Sequence, residues 1–385
     1  MMIERIESKE TGLYCHIPFC ASTCDFCAFY QEKPRRTDLD TYLDGMDIEF
    51  ANLPKDRSFS TIFWGGGTPS LLSAKDLKRL GESMLRSINS DFEEWTVEMA
   101  PSTVKADKLS VLLDLGVTRF SLGVQSFNAH HLEQLGRLHN PSQIDTAWEH
   151  IQASRVGETN IDLMFALPHQ SIEDWLADIE KVDQLKSTHV STYCLTFEED
   201  TALYLKLAQG ALKIDTEKER AFYLKAWDLL KELGFQQYEI SNFARNPSSR
   251  CRHNLNTWRM HEWVGCGPSA ASQFNGRRYR NPSSLEQWSN GLKTGEQLYE
   301  DSVSLDSQIL FVDSLLFGLR MNEGIHLDAL RRRFSETFSL KPYRVLFEQF
   351  IAAGYLKNQG DHFTLTREGQ LRCDAIGSEL IKASS

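Results

Sequence analysis

Residues Cys20 to Phe29 read CASTCDFCAF, three cysteines spaced C-x3-C-x2-C. Three thiolates on one loop can hold three corners of a cubane [4Fe–4S] cluster, which otherwise takes four cysteines. The fourth iron is then open to an exogenous ligand, by the logic that keeps one position of a catalytic zinc vacant. Zinc is the competing reading. It favours four Cys or His ligands, often in two separated pairs, and the sequence has no second C-x2-C pair.

Outside this loop and Cys15, the cysteines Cys194, Cys251, Cys266 and Cys373 are scattered. Cys194 and Cys373 read as small buried apolar residues. The chain has 385 residues, more than one ordinary core holds, which predicts one large domain with an appendage. With 42 basic and 53 acidic residues, its formal charge of −11 argues against gripping a nucleic-acid backbone. The basic run Arg331 to Phe334, RRRF, is expected on a solvated helix face. No apolar run reaches the length of a membrane span, and the opening MMIERIESKETG is too charged for a signal peptide. The expected compartment is therefore the cytoplasm, where thiols stay reduced.

From the cysteine loop onward, short β-branched or apolar runs alternate with amphipathic stretches. The runs GLYCHI, TIFW, EWTVEMAP, RFSLGVQS, TNIDLMF and HVSTYCL read as strands, and FQQYEI as a weaker seventh. Such alternation predicts an α/β fold with a parallel sheet and outer helices, a partial (β/α)6-type barrel over residues 1–245. Functional residues gather at the C-terminal ends of such strands. The cysteines, a glycine run, Glu98, Gln125 and Asp162 are expected there. Residues 246–300 are rich in Gly, Pro, Ser and aromatics without a clear period, and read as a connecting segment. Residues 301–385 return to helical patterns followed by a hairpin-like stretch, which predicts a smaller, mostly helical, winged-helix-like domain.

Directly after TIFW stands GGGTP, Gly65 to Pro69. Consecutive glycines expose backbone polar groups and let a ligand approach. Together with LYCHIPFC, CASTCDFC, GVQSF, LGRLH and IDLMFALP, this turn gives the chain its resemblance to the radical S-adenosylmethionine (SAM) superfamily, in the HemN/HemW branch. The resemblance implies a [4Fe–4S] cluster on Cys20, Cys24 and Cys27, with SAM chelating the open iron, where one-electron reduction can cleave it. It also implies SAM contacts from Tyr14, Phe26, Gly66, Gly67, Thr68, Glu98, Gln125, Arg137 and Asp162. Carboxylates suit ribose hydroxyls or an ammonium, and an arginine can clamp a carboxylate.

Within the branch, the coproporphyrinogen III dehydrogenases extend the motif to C-x3-C-x2-C-x-C and carry a longer N-terminal segment. Here Phe29 takes the last position, and 19 residues precede Cys20. The pattern resembles the HemW-type haem chaperones, which implies binding of haem and its delivery to haem proteins. The alternative is a radical SAM oxidoreductase acting on a porphyrin, such as the oxygen-independent coproporphyrinogen III oxidase. The run HNLNTW resembles the group's H-N-x-x-Y-W motif, with Thr257 in place of tyrosine. It points to His253, Asn254 and Trp258 for haem, histidine being a standard axial ligand. Cys251, His261 and Cys266 are further candidate ligands. Implied partners are haem or a porphyrin, haem-accepting proteins including membrane-bound respiratory enzymes, an electron donor and a second copy of the chain.

Overall fold

The computed structural model describes residues 11–88, 91–296, 298–334 and 339–383. The charged opening run, up to residue 10, lies outside the described residues. Six strands, β1 (Thr11–Ile17), β2 (Phe59–Gly66), β3 (Glu94–Met99), β4 (Arg119–Gln125), β5 (Glu158–Phe165) and β6 (His189–Cys194), run parallel and in sequence order. Helices α1 (Arg36–Ala51), α2 (Ala74–Ser87), α3 (Ala106–Asp114), α4 (Ala129–Gln134), α5 (Pro141–Ser154), α6 (Ile172–Gln184), α7 (Ala202–Ala208) and α8 (Thr216–Glu232) fill the crossovers and the stretch after β6. Local chemistry fixes several starts. Asn140 and Gln143 form a capping box on α5 with Pro141 in its first turn, and Ser171 and Asp174 do the same for α6.

The strands alternate sharply. Phe120, Leu122 and Val124 of β4, and Ile161, Leu163 and Phe165 of β5, face the helices in one large apolar core. Their neighbours Arg119, Ser121, Asn160 and Asp162 face the concave side. Parallel strands covered on both faces normally read as continuous apolar runs. This period of two marks a polar lumen.

The expected seventh parallel strand does not form. Only β7 (Gln236–Gln237) is extended there, and it pairs antiparallel with β8 (Asn242–Ala244), itself antiparallel to β6. The chain reverses because Glu239 accepts from Ser241 N–H at 2.9 Å and Asn242 Nδ2 at 2.5 Å, tying a tight loop.

The segment read as a connecting one extends the sheet. After α9 (Arg252–Trp258), β9 (Trp263–Cys266) pairs parallel with β1, followed outward by β10 (Ala271–Phe274), β11 (Arg277–Arg280) and, beyond α10 (Leu285–Thr294), β12 (Glu300–Ser304). Among the described residues the sheet has 12 strands. A second apolar core gathers residues between Phe311 and Leu380. It is built from α11 (Ser307–Arg320), α12 (Leu327–Phe334), α13 (Lys341–Ala352), α14 (Arg367–Gln370) and α15 (Cys373–Lys382), with a small sheet of β13 (Ile325–His326), β14 (Leu356–Gln359) and β15 (His362–Leu365). Arg333, expected on a solvated face, turns inward and donates to the carbonyls of Arg259 and Met260 at the end of α9. Among the described residues no helix is long and apolar enough to cross a membrane.

Candidate functional site

The loop after β1 carries Cys20, Cys24 and Cys27 over the C-terminal end of the barrel. It is sewn down at several points. Gly67 N–H donates to Ile17 O at 2.9 Å and Thr68 N–H to Phe19 O at 2.8 Å. Asp25 N–H reaches Leu135 O, while Asp25 O accepts from Leu203 N–H and Asp25 Oδ2 from Lys206 Nζ. Cys20 Sγ lies 3.5 Å from Thr68 Oγ1, and Arg137 Nη1 donates to Cys24 Sγ at 3.5 Å. Burial pushes the Cys20 and Cys27 thiols up, and neighbouring thiols push further, while Arg137 opposes the rise. A cation beside grouped thiols favours the thiolate form that metals bind. The adjoining open cleft is lined by Cys20, Cys24, Thr68, Ser102, Arg137 and His139. Among the described residues, Arg137 Nε is buried without a hydrogen-bond partner. Three thiols on one loop are the chemistry a cluster takes, with Arg137 for an anionic ligand beside them, although among the described residues no three metal-binding side chains are grouped to hold a metal ion as they stand.

The glycine turn works differently from the expectation of exposed N–H groups. Gly66 N–H goes to Glu98 Oε2 at 3.2 Å, and those of Gly67 and Thr68 dock the cysteine loop. Gly66 sits at φ +97°, and a Cβ there would come within 2.4 Å of the His16 ring. That ring is fixed by Tyr14 Oη at 3.0 Å and Tyr30 O at 3.1 Å.

Along the lumen, Glu98 and Asp162 face each other closely enough to interact. Burial, and secondly Asp162, pushes the Glu98 carboxyl up to about 8. Burial also raises Asp162, although Ser121, Asn160, Ser191 and Arg137 favour its charged form. Two buried, mutually interacting carboxyl groups make a receptor for a cation or for hydroxyl groups. Asp162 stands inside β5 rather than at its end. At the tip of β4 a bulge throws Gln125 into φ +70°. A side chain at Gly123 would press on both Gln125 Nε2 and Arg137 Nη2, at 3.4 and 3.3 Å. Arg137 is thereby held low enough to bond the Gly123 carbonyl. Phe26 packs with Leu135, Met164, Leu167, Leu195 and Leu203, shielding the loop on one side. Phe29 is 70% exposed and Leu138 65% exposed.

Tyr193 was not legible as a site residue. It follows His189 and Ser191 on the luminal face of β6 and neighbours Asp162 and Ser191. The signal that reveals it is the alternation H-V-S-T-Y-C, polar at every second position.

The residues of HNLNTW do not converge. His253 points into the floor of the barrel, 7% exposed, with Nδ1 3.0 Å from Thr61 Oγ1 and its ring 5.2 Å from that of Phe63. Burial lowers its pKa to about 4. Trp258, five residues on, stacks on Phe317 and lies under the Arg320 guanidinium. Asn254 lies half-buried on the same helix. Among the other candidates, Cys251 approaches Glu94, His261 bonds Asn256, and Cys266 is fully buried beside Cys15.

A family model for the radical SAM superfamily matches residues 14–182, and one for the HemN C-terminal domain matches residues 311–372. The chain is 32% identical to a heme chaperone HemW of Lactococcus lactis, over 94% of each chain. It is 31% identical to a heme chaperone HemW of Escherichia coli, over 95% of this chain and 96% of that one. It is 33% identical to the mitochondrial radical S-adenosyl methionine domain-containing protein 1 of Danio rerio, over 97% and 85% respectively. Among solved structures, the coproporphyrinogen III oxidase HemN of Escherichia coli superposes with a TM-score of 0.83 at 22% identity, over 96% of this chain and 90% of that one. This last likeness concerns the fold.

Proposed function

The chain belongs to the radical SAM superfamily, in the branch that holds the HemW and HemN proteins, and from that premise we propose that it binds haem and delivers it to haem-dependent proteins in the cytoplasm or at the membrane surface. The radical SAM domain implies a [4Fe–4S] cluster and SAM. Cys20, Cys24 and Cys27 would hold the cluster, which supplies single electrons when bound. The chain's own residues do the rest. Arg137, with its unpartnered Nε, draws a carboxylate toward the cysteine loop. Glu98 and Asp162 receive ammonium or hydroxyl groups, and Phe26 with its apolar neighbours keeps water from the loop.

One observation carries the choice of haem delivery over porphyrinogen oxidation: relatives named heme chaperone match nearly the whole chain at about 30% identity. His253 is the proposed axial ligand. With Nδ1 committed to Thr61, ligation falls to Nε2, and the ring's burial requires α9 to shift first.

The test uses anaerobically reconstituted protein. Haem binding followed by transfer to an acceptor apoprotein, with no conversion of coproporphyrinogen III in the presence of SAM and reductant, is the expected result. Robust porphyrinogen turnover would instead establish the oxidase reading. H253A is expected to weaken haem binding and alter its spectrum, and an unchanged spectrum removes His253 as ligand.

A further inference from the structure

A row of buried hydrogen bonds descends the lumen from Asp162 to α9. Ser121 Oγ lies 2.9 Å from Asp162 Oδ2, and Asn160 Nδ2 lies 2.8 Å from both Asp162 Oδ1 and Ser121 Oγ. Asn160 Oδ1 is 2.6 Å from His189 Nδ1, and His189 Nε2 is 2.8 Å from the Tyr238 hydroxyl. That hydroxyl accepts from Cys251 N–H, at the N-cap of α9, at 3.2 Å.

The chemistry fixes every direction in this row. A carboxylate only accepts, so Asn160 must turn its amide nitrogen to Asp162. Its oxygen then faces His189, which also lets it accept from Ser191 Oγ at 3.3 Å. His189 must therefore carry its proton on Nδ1, leaving Nε2 bare. Tyr238 must donate to Nε2, and its oxygen is free to accept from Cys251. Burial keeps His189 neutral by lowering its pKa well below the ordinary value.

We propose that His189 is a positioning residue: it closes a one-way hydrogen-bond chain that fixes the Asp162 carboxylate for its ligand and couples that carboxylate to helix α9. The coupling reaches further, because the Tyr238 carbonyl accepts from Asn322 N–H at 3.0 Å, just beyond α11. Ligand at Asp162 and the posture of α9 are thus linked, and linkage acts equally in both directions. The ligand half of this inference rests on the reading of Asp162 as a SAM contact.

Two measurements test it. The first needs no ligand: the imidazole nitrogens of His189 in the full chain, assigned by their loss in H189N, are read by nitrogen-15 NMR. The Nδ1–H tautomer is expected, and an Nε2–H tautomer overturns the chain. The second compares SAM affinity and SAM-induced amide-exchange protection of α9 in reconstituted wild type, Y238F, H189L and H189N. Y238F and H189L are expected to bind SAM about fivefold more weakly or worse and to lose the protection response. H189N, whose amide can replace the Nδ1–H donor but leaves Tyr238 without its Nε2 acceptor, is expected to recover SAM affinity and not the protection response. If H189L does not fold, Y238F decides, since it lacks one oxygen only. Wild-type affinity or an intact protection response in Y238F overturns the proposal. A wild-type protein that binds no SAM sinks the parent reading instead, and the tautomer alone then judges the chain.

Discussion

At Gly66 one residue does three jobs: it takes a left-handed turn, admits the His16 ring against its Cα and gives its N–H to Glu98. His16 cannot step aside, because Tyr14 and the Tyr30 carbonyl hold both ring nitrogens. G66A is therefore expected to lose about 2–3 kcal/mol of stability, from the positive φ plus the overpacked ring. It should also incorporate less iron on reconstitution, since the same turn docks the cysteine loop. Denaturant melts and iron content check both, and a wild-type melt rules out the steric account. The glycines and cysteines were legible because their spacing is local. Their division of labour was not, since Gly67 and Thr68 spend their N–H groups on carbonyls of another strand's loop. His189, Asn160 and Tyr193 each look ordinary alone. Only the two-residue period shared by β4, β5 and β6 exposes them as one lumen.

Elements show the same split between local and distant information. The six parallel strands were readable because each apolar run is followed by a helical pattern, several of these helices opening on a side-chain cap. Strands β9 to β12 were missed, being four or five residues long and cut by Gly, Pro and Asn. A signal was present: Asn275-Gly276, both at positive φ, joins β10 to β11 as a two-residue hairpin. What holds this added sheet to α1 is Glu49, which accepts from Gly267 N–H, Asn281 Nδ2 and Trp288 Nε1. Burial lifts its pKa from 4.5 to about 7 against those three donors. Below pH 4.5 both folded and unfolded states hold the proton; between 4.5 and 7 the unfolded chain releases it while the folded protein retains it. The stabilising contribution is thus fully present below 4.5 and lost as pH rises through 7. E49Q should be less stable than wild type at low pH, where a misplaced amide donor faces three donors. The gap should narrow by about 2–3 kcal/mol toward pH 8. Parallel stability curves from urea titrations across that range would discount the assignment.

On the scale of the whole molecule, two apolar cores meet across a largely polar joint, and the joint determines whether they unfold together. Both cores were legible as patterns, because each is made of locally periodic helices and strands. The joint was not, since it pairs residues far apart in sequence. Its centre is Glu239, fully buried, bonded by Arg320 Nε at 2.7 Å from the end of α11. Arg320 also donates to Ser241 Oγ at 3.0 Å and lies over the Trp258 ring on α9. The same loop thus carries the barrel's tie to the C-terminal helices in Glu239 and the lumen's tie to α9 in Tyr238. Removing the cation alone strands a buried carboxylate, which typically costs about 3–5 kcal/mol. Ser241 N–H and the Asn242 amide still serve that carboxylate, so R320M should fall near the lower end of that range. E239Q removes the charge and keeps the shape, and the double variant E239Q/R320M strands no charge. The double variant should therefore be more stable than R320M alone, with a coupling energy of about 1–3 kcal/mol in the mutant cycle. R320M should also split the calorimetric transition into two, the C-terminal core melting first, because that core loses its ion pair to the buried Glu239. Additive effects and a single transition in all four proteins would show that the cores are held together by apolar packing instead.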